Sequence, residues 1–373
     1  MTDYEIEMEL GKARKAFQDS NPVNLSYWEP GSDYKSALKR ILKNDVIHDI
    51  FDYQCYLPYF VKKTIQTRLG ISSEDFEETL VEFFPQSTLS IVTLAAFLSK
   101  RNLKLGIVAP AYFTVQACCE NFKIPHVIFD DFIQDFNATF DVDRLLQSDC
   151  NAFWFTSPIN STSVYFDQNV ISGIQKLLDS GKKVILDESL CLSGKELLRT
   201  FGIKDNLIYI YSPHKTLGFQ GIMFSVLVTH QKYYAEFNSL KDCYGGSLNA
   251  SCLHGSAHFV SPNFDECVDL YNKFWQGNLN FVERILAQYE FAHISPEMAG
   301  HYAMIFIDHP VEDKNFVEAM KVMMKEKGYF AFPGKLQGFK MPNHFSFRLN
   351  LLLNRDDLEK GLTAVLDRLK TLQ

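Results

Sequence analysis

A chain of 373 residues with 46% hydrophobic content can bury one large core and a smaller one beside it. Its 32 phenylalanines and 17 tyrosines exclude a disordered chain, and a formal charge of −8 without a long basic run argues against nucleic acid as a partner. No apolar stretch reaches membrane-spanning length, so no membrane partner is expected.

The first fifty residues read as polar and helical, broken at NPVNLSYWEPGSDY. The opening MTDYEIEMELGKARK is acidic and lacks an apolar core, which is not the pattern of a signal peptide. The cysteines at 55, 118, 119, 150, 191, 243, 252 and 267 form no CxxC pair and no zinc-like spacing with histidine, so no metal is expected. Reduced thiols in a cytoplasmic protein fit that scatter. Cys191 reads as a small buried hydrophobe.

Phe60 to Leu69 has helical spacing. Residues 83–101 read as a loop entering an amphipathic helix, with Ser87 or Thr88 as its cap. Such a helix start, with free N–H groups and hydroxyls, can also cradle a phosphate. Leu105 to Ala109 is a short buried strand leading to Pro110-Ala-Tyr112, HVIFDDF is the next strand, and FDVDRLLQS is a helix. NAFWFTSPINSTS is a strand that ends in a turn at Asn160. QNVISGIQKLLDSGK is a helix closed by Gly181.

Three apolar runs follow: VILDES with Asp187 at its tip, NLIYIYSPHK ending in Lys215, and GIMFSVLVT. The alternation of strand and helix from about 105 to 229 is the signature of a parallel sheet with right-handed crossovers. FDECVDLYNKFWQGNLNFVERILAQYEF is a long bridging helix. HYAMIFID is a strand, NFVEAMKVMMKEKG a helix ended by Gly328, FSFRLNLLL a strand carrying Arg348, and DDLEKGLTAVLDRLKTL a closing capped helix.

Asp187 and Lys215 lie 28 positions apart, each just past a buried strand. Ligands of open α/β sheets bind outside those strand ends. Alone, the acid reads as a helix cap and the lysine as a solvated loop residue. Together they suit an aldehyde cofactor with a basic ring nitrogen, pyridoxal phosphate: the lysine holds the aldehyde as a Schiff base and the acid keeps the ring nitrogen protonated.

The stretch Ser212-Pro-His-Lys215-Thr-Leu-Gly218-Phe-Gln-Gly221 resembles the cofactor-lysine motif of fold-type I pyridoxal-phosphate enzymes, the aspartate aminotransferase superfamily of class I/II. The resemblance covers nearly the whole chain. It implies an α/β large domain with a mostly parallel seven-stranded sheet and a smaller α+β domain built from both termini. The implied boundaries are 1–50, 51–289 and 290–373. It further implies Lys215 as catalytic residue, Asp187 on the ring nitrogen, Asn160 on the ring oxygen and Tyr112 stacked on the ring. Ser87 and Thr88 fall at the phosphate. Ser212 and His214 are nearby candidates for a donor to replace the family's phosphate arginine, which this chain lacks. Tyr53, or Tyr56 as second choice, falls on the tyrosine that reaches the neighbouring subunit's phosphate. Arg348 falls on the arginine that forks onto the substrate carboxylate, a role suited to a planar two-pronged donor.

The chain departs from the family pattern at several places. Gln86 stands where a glycine is usual, Ser161 and Ser163 replace a proline and a glycine, Leu190 replaces the ring-oxygen tyrosine, and Met223 replaces the phosphate arginine. The implied function is a homodimeric aminotransferase moving an amino group between an α-amino acid and a 2-keto acid. The alternatives are a lyase, a decarboxylase, an oxygen-using oxidase or cyclase, or a member that binds cofactor without turnover.

Overall fold

A computed structural model describes residues 1, 3–17, 22–26, 30–41, 59–130, 141–218, 223–245, 248, 250–339 and 344–372. By compactness the chain divides into two units. One comprises Ile41–Asn160 and Tyr165–Val268; the other comprises Met1–Arg40, Ser161–Val164 and Asp269–Gln373. The long helix Asn263–Leu286 forms as its amphipathic spacing predicts, and the line between the units falls inside it rather than after it.

The strands in chain order are β1 (Val23–Asn24), β2 (Thr79–Phe84), β3 (Leu105–Val108), β4 (His126–Phe129), β5 (Ala152–Thr156), β6 (Lys183–Glu188), β7 (Leu207–Tyr211), β8 (Ser225–His230), β9 (Ala292–Ile294), β10 (Tyr302–Ile307), β11 (Tyr329–Phe330) and β12 (Phe345–Asn350). Strands β2 to β8 form one seven-stranded sheet in the order β2-β8-β7-β6-β5-β3-β4. Its pairs are parallel except those made by β8, which runs against both β7 and β2. The expected mostly parallel seven-stranded sheet is therefore present. Strands β5, β6 and β7 are buried along their whole length, as strands covered on both faces must be.

The helix Ser87–Lys100 covers one face of this sheet. Its Leu94, Phe97 and Leu98 join Trp154, Ile185, Ile208 and Ile210 in one apolar cluster. On the other face of the sheet Gly106 leaves room for an aromatic ring: a Cβ there would stand 2.6 Å from the Phe153 ring. The helix Gln168–Asp179 returns the chain to β6 and ends at Gly181, whose φ of +80° only glycine takes without strain. There the N–H groups of Gly181 and Lys182 donate to the Leu178 and Leu177 carbonyls, the paired bonds of a Schellman end.

One expectation fails at the start of Ser87–Lys100. Neither Ser87 nor Thr88 is the cap; Gln86 holds that position in extended backbone, without a side-chain capping bond. The Leu89 and Ser90 N–H groups already donate to the Gln86 carbonyl, so the first turn begins one residue earlier and both hydroxyl residues lie within it.

The second unit carries the three-stranded antiparallel sheet β12-β10-β9 and the parallel pair β1–β11. The helices Asp313–Lys327 and Arg355–Lys370 belong to it, the first closed by Gly328 at φ +74°. Asn354 holds the N-cap position of the last helix without a side-chain capping bond; its side-chain carbonyl accepts instead from the Asp33 N–H, 3.2 Å away.

Candidate active site

At the carboxyl end of β6 the pleat decides which side chains share a face. Asp187 points with Ile185, and in register with Thr156 of β5 and Ile210 of β7. It is 3% exposed, and its Oδ1 accepts from the Ser189 N–H at 3.1 Å and the Ser189 hydroxyl at 2.6 Å. Burial pushes its pKa upward, while the charge of Lys215 and the two Ser189 bonds pull the other way. Beside it, Thr156 buries a hydroxyl that has no hydrogen-bond partner among the described residues. Neither Ser189 nor Thr156 is part of the sequence expectation. Ser189 had a signal, a hydroxyl two residues past a strand-end acid, which is the spacing of a local Asx-type turn.

After β7 the chain turns through Ser212 into a short helical turn, Pro213–Thr216, that begins on proline. This turn carries Lys215. Its Nζ lies 5.5 Å from the centre of the Tyr112 ring. Removal from water pushes the amine's pKa down, against the opposing pull of Asp187. The residue is partly exposed along its length, but its amine is enclosed enough for that desolvation to dominate. Acid and amine thus stand within electrostatic reach of each other in one unit.

Tyr112 follows β3, past a cis bond at Ala109–Pro110, and sits immediately before the helix Phe113–Asn121. Asn160 follows β5, past a cis bond at Ser157–Pro158, and is 6% exposed. Tyr112, Asn160, Asp187 and Lys215 therefore all stand beyond the carboxyl ends of parallel strands of one sheet. Ser87 is buried in the first turn of its helix and Thr88 half-buried. Three enclosed hydroxyls link β7, β8 and this helix: Ser212 and Ser90 each donate to Ser225 Oγ at 3.1 Å. His214 is committed to the backbone, with Nδ1 2.6 Å from the Phe224 carbonyl oxygen, and burial depresses its pKa to about 3. Cys191 is fully buried and its thiol is pushed well above the ordinary range, which leaves it an inert apolar group. Tyr53 and Tyr56 lie outside the described residues.

Arg348 lies in the other unit, on β12. Its guanidinium is spread over oxygen acceptors: Nε and Nη2 donate to the Ser26 carbonyl, and Nη1 to the Gln337 side-chain carbonyl at 3.0 Å and the Ser161 hydroxyl at 3.1 Å. The guanidinium carbon stands 4.5 Å from the Tyr302 ring centre. Ser26, Gln337 and Ser161 are missing from the sequence expectation as partners of Arg348; Ser26 and Ser161 reach it across 322 and 187 residues, and Gln337, only 11 residues away, lies outside the strand that carries it.

No protein-family model matches the chain, and no curated protein sequence matches it. Solved structures do. A single mutant of Thermus thermophilus aspartate aminotransferase superposes with a TM-score of 0.75 at 14% identity, over 100% of this chain and 97% of that one. Pyrococcus horikoshii kynurenine aminotransferase gives 0.74 at 15% identity, over 97% and 94%. A pyridoxal-phosphate-bound C–S lyase from Staphylococcus hominis gives 0.70 at 16% identity, over 94% and 89%. The chain has the fold these proteins share, that of fold-type I pyridoxal-phosphate enzymes.

Proposed function

We propose that this protein is a pyridoxal-phosphate enzyme that transfers the amino group of an α-amino acid to a 2-keto acid. One observation carries the reading: at the strand ends of this fold, a buried carboxylate and a desolvated amine stand together, with an aromatic ring 5.5 Å from the amine. The donor set fits the cofactor. A carboxyl that burial drives toward its neutral form regains its charge when a cationic ring nitrogen faces it. Hydroxyls and the N–H groups of a 14-residue helix suit a phosphate. Asp187 would hold the ring nitrogen, Asn160 the ring oxygen, Tyr112 the ring face, and Ser87, Thr88 and Ser212 the phosphate. When bound, the cofactor supplies an aldehyde for amine exchange and a ring that draws electrons from the carbon next to the substrate nitrogen.

The residues themselves divide the work. Desolvation keeps Lys215 Nζ readily deprotonated, so it can accept the substrate's α-proton and later return it as acid. Asp187 keeps a negative charge where the ring nitrogen needs one, supported by Ser189. Tyr112 restrains the ring by stacking, a contribution on the order of 1 kcal/mol. Arg348 would grip the substrate carboxylate, exchanging Gln337 and Ser161 for a charged acceptor. A homodimer completes the proposal, with Tyr53 contributed across the interface. No disulfide joins the described cysteines, and we assign the protein to a reducing, cytoplasmic setting.

The test is chemical. Borohydride added with pyridoxal phosphate should fix label on the peptide bearing Lys215, and Lys215→Ala should abolish both label and turnover, by 100-fold or more on the order expected for a lost general base. Label elsewhere, or normal turnover in that variant, overturns the reading. Leu190 and Met223, together with a C–S lyase among the proteins of this fold, favour elimination as the second reading. A panel of amino acids with a keto-acid acceptor separates the two: amine transfer supports the first, and release of ammonia without transfer supports the second.

A further inference from the structure

At the opposite end of the seven-stranded sheet, where β5, β6 and β7 begin, lies a cavity of about 550 Å³ lined by Lys182, Lys183, Asn206, Asp205, Lys232 and Tyr233 among others. Its charge is unbalanced. The neighbouring cations are matched: Arg101 bonds Glu236 at 2.6 Å, Lys104 bonds Asp149 at 2.6 Å, Lys204 stands 3.6 Å from Asp179, and Lys232 and His230 both meet Asp205. Among the described residues, Lys182 and Lys183 have no such carboxylate. Lys182 Nζ donates to the Cys150 carbonyl at 2.7 Å. Lys183 is only 9% exposed; its Nζ donates to the Tyr233 hydroxyl at 2.9 Å and sits 4.7 Å from that ring's centre.

A buried ammonium with one phenolic acceptor keeps N–H donors to spare, and a second ammonium lines the same cavity. In a chain of net charge −8 this is a local inversion of sign. We propose that the cavity is a binding site for a small phosphate-bearing anion, held by Lys182, Lys183 and Lys232. A phosphate takes several charge-assisted bonds at once, which two ammoniums lining one cavity, neither in direct contact with a carboxylate among the described residues, can give; Asp205 and Asp149 act on Lys183 and Lys182 only at longer range. The volume is in the range of small-molecule sites and exceeds what a bare ion fills. The site is separate from the one above. Lys183 opens β6 and Asp187 lies next to its end, on the same face, roughly 13 Å away at the rise of an extended chain.

The test uses the full chain with pyridoxal phosphate added, titrated calorimetrically at fixed ionic strength with inorganic phosphate, ribose 5-phosphate and adenosine monophosphate, against chloride. Binding of at least one phosphate below about 1 mM is expected, weakened tenfold or more by Lys183→Met and by Lys232→Glu and kept by Lys215→Ala. Tighter binding of either ester identifies an organic phosphate as the occupant, and equal binding identifies the free ion. Lys232 is 42% exposed, so its variant keeps the test open should Lys183→Met fail to fold. The same titration without pyridoxal phosphate separates this site from the cofactor reading: the component of binding removed by Lys232→Glu must be the same there, whatever further binding the cofactor site then adds. Absence of phosphate binding beyond chloride, or binding that neither variant changes, overturns the proposal.

Discussion

Asp187 and Glu188 are consecutive carboxylates on β6, both buried and both pushed upward in pKa by desolvation, yet the pleat gives them different neighbourhoods. Asp187 faces an amine and two bonds from Ser189. Glu188 lies in register with Tyr211 on the other face and is fully buried; its Oε2 accepts from the Leu197 N–H at 2.9 Å. The Tyr209 and Ser157 hydroxyls temper its shift, but neither completes a well-formed bond to Oε1. Among the described residues no cation is one of the main groups that act on it, and the nearby Glu196 drives it further from ionising. The lesson is that a buried acid becomes a chemical group only where its face opens onto a cationic partner. One residue away, burial without such a partner drives a carboxyl toward its neutral form, and it serves as packing.

The largest expected effect separates the two. Asp187→Asn should lower kcat/KM about 1,000-fold, roughly 4 kcal/mol, because the variant cannot balance a protonated ring nitrogen. Glu188→Gln should leave kcat/KM within about threefold, since an amide resembles the neutral form that burial favours there. Steady-state kinetics on the two variants checks this, and equal losses would erase the distinction.

The second prediction extends the contrast to the other unit, where a cation rather than an acid awaits a charged partner. Arg348→Lys keeps the charge but loses the fork. We expect a loss of about 2–3 kcal/mol in kcat/KM, roughly 30- to 150-fold, with cofactor affinity unchanged. An equal loss of cofactor affinity would move Arg348 out of the substrate role.

The third prediction concerns pH and stability. The folded pKa of Glu188 lies above its ordinary value of 4.5. Its stabilising share is complete below that value and is lost as pH rises from 4.5 through the folded pKa. Glu188→Gln removes this loss. The stability difference between variant and wild type should therefore turn toward the variant by up to about 1.4 kcal/mol per pH unit across that window, measured by urea unfolding. His214 and His301, both depressed to about 3, act with the opposite sign below 6.5 and cancel in the difference. A flat difference would mean that Glu188 ionises freely in the folded protein.

The sheet was legible because its strands are uninterrupted apolar runs with polar tips, and the tips carry the residues of the proposed site. Asp187, Lys215, Tyr112 and Asn160 sit where those runs end. The cap of Ser87–Lys100 was misread because capping depends on where the first carbonyl bond forms, and a Gln-Ser-Thr sequence permits several starts. The surroundings of Arg348 were illegible for another reason. Ser26 and Ser161 lie 322 and 187 residues from it in sequence, and no local pattern encodes such a meeting. The lysines at the foot of β6 read as ordinary polar residues, since only the fold shows that their neighbours' carboxylates are already engaged.

The smallest effect tests the support of Asp187 rather than Asp187 itself. Both Ser189 bonds land on the same oxygen, Oδ1. They hold the carboxylate in one orientation and leave Oδ2 for the proposed ring nitrogen. The hydroxyl bond favours the ionised form, so removing it raises the pKa of Asp187 further. Ser189→Ala should weaken pyridoxal-phosphate binding by less than tenfold, about 1 kcal/mol, and move the acid limb of kcat/KM to higher pH. The backbone N–H bond survives in this variant, which is why the effect stays well below that of Asp187→Asn. Ser189→Thr restores a hydroxyl at the same place and should return the acid limb toward its wild-type position. A structural role alone would lower stability without moving that limb, so an unmoved pH profile in Ser189→Ala would reduce the residue to packing.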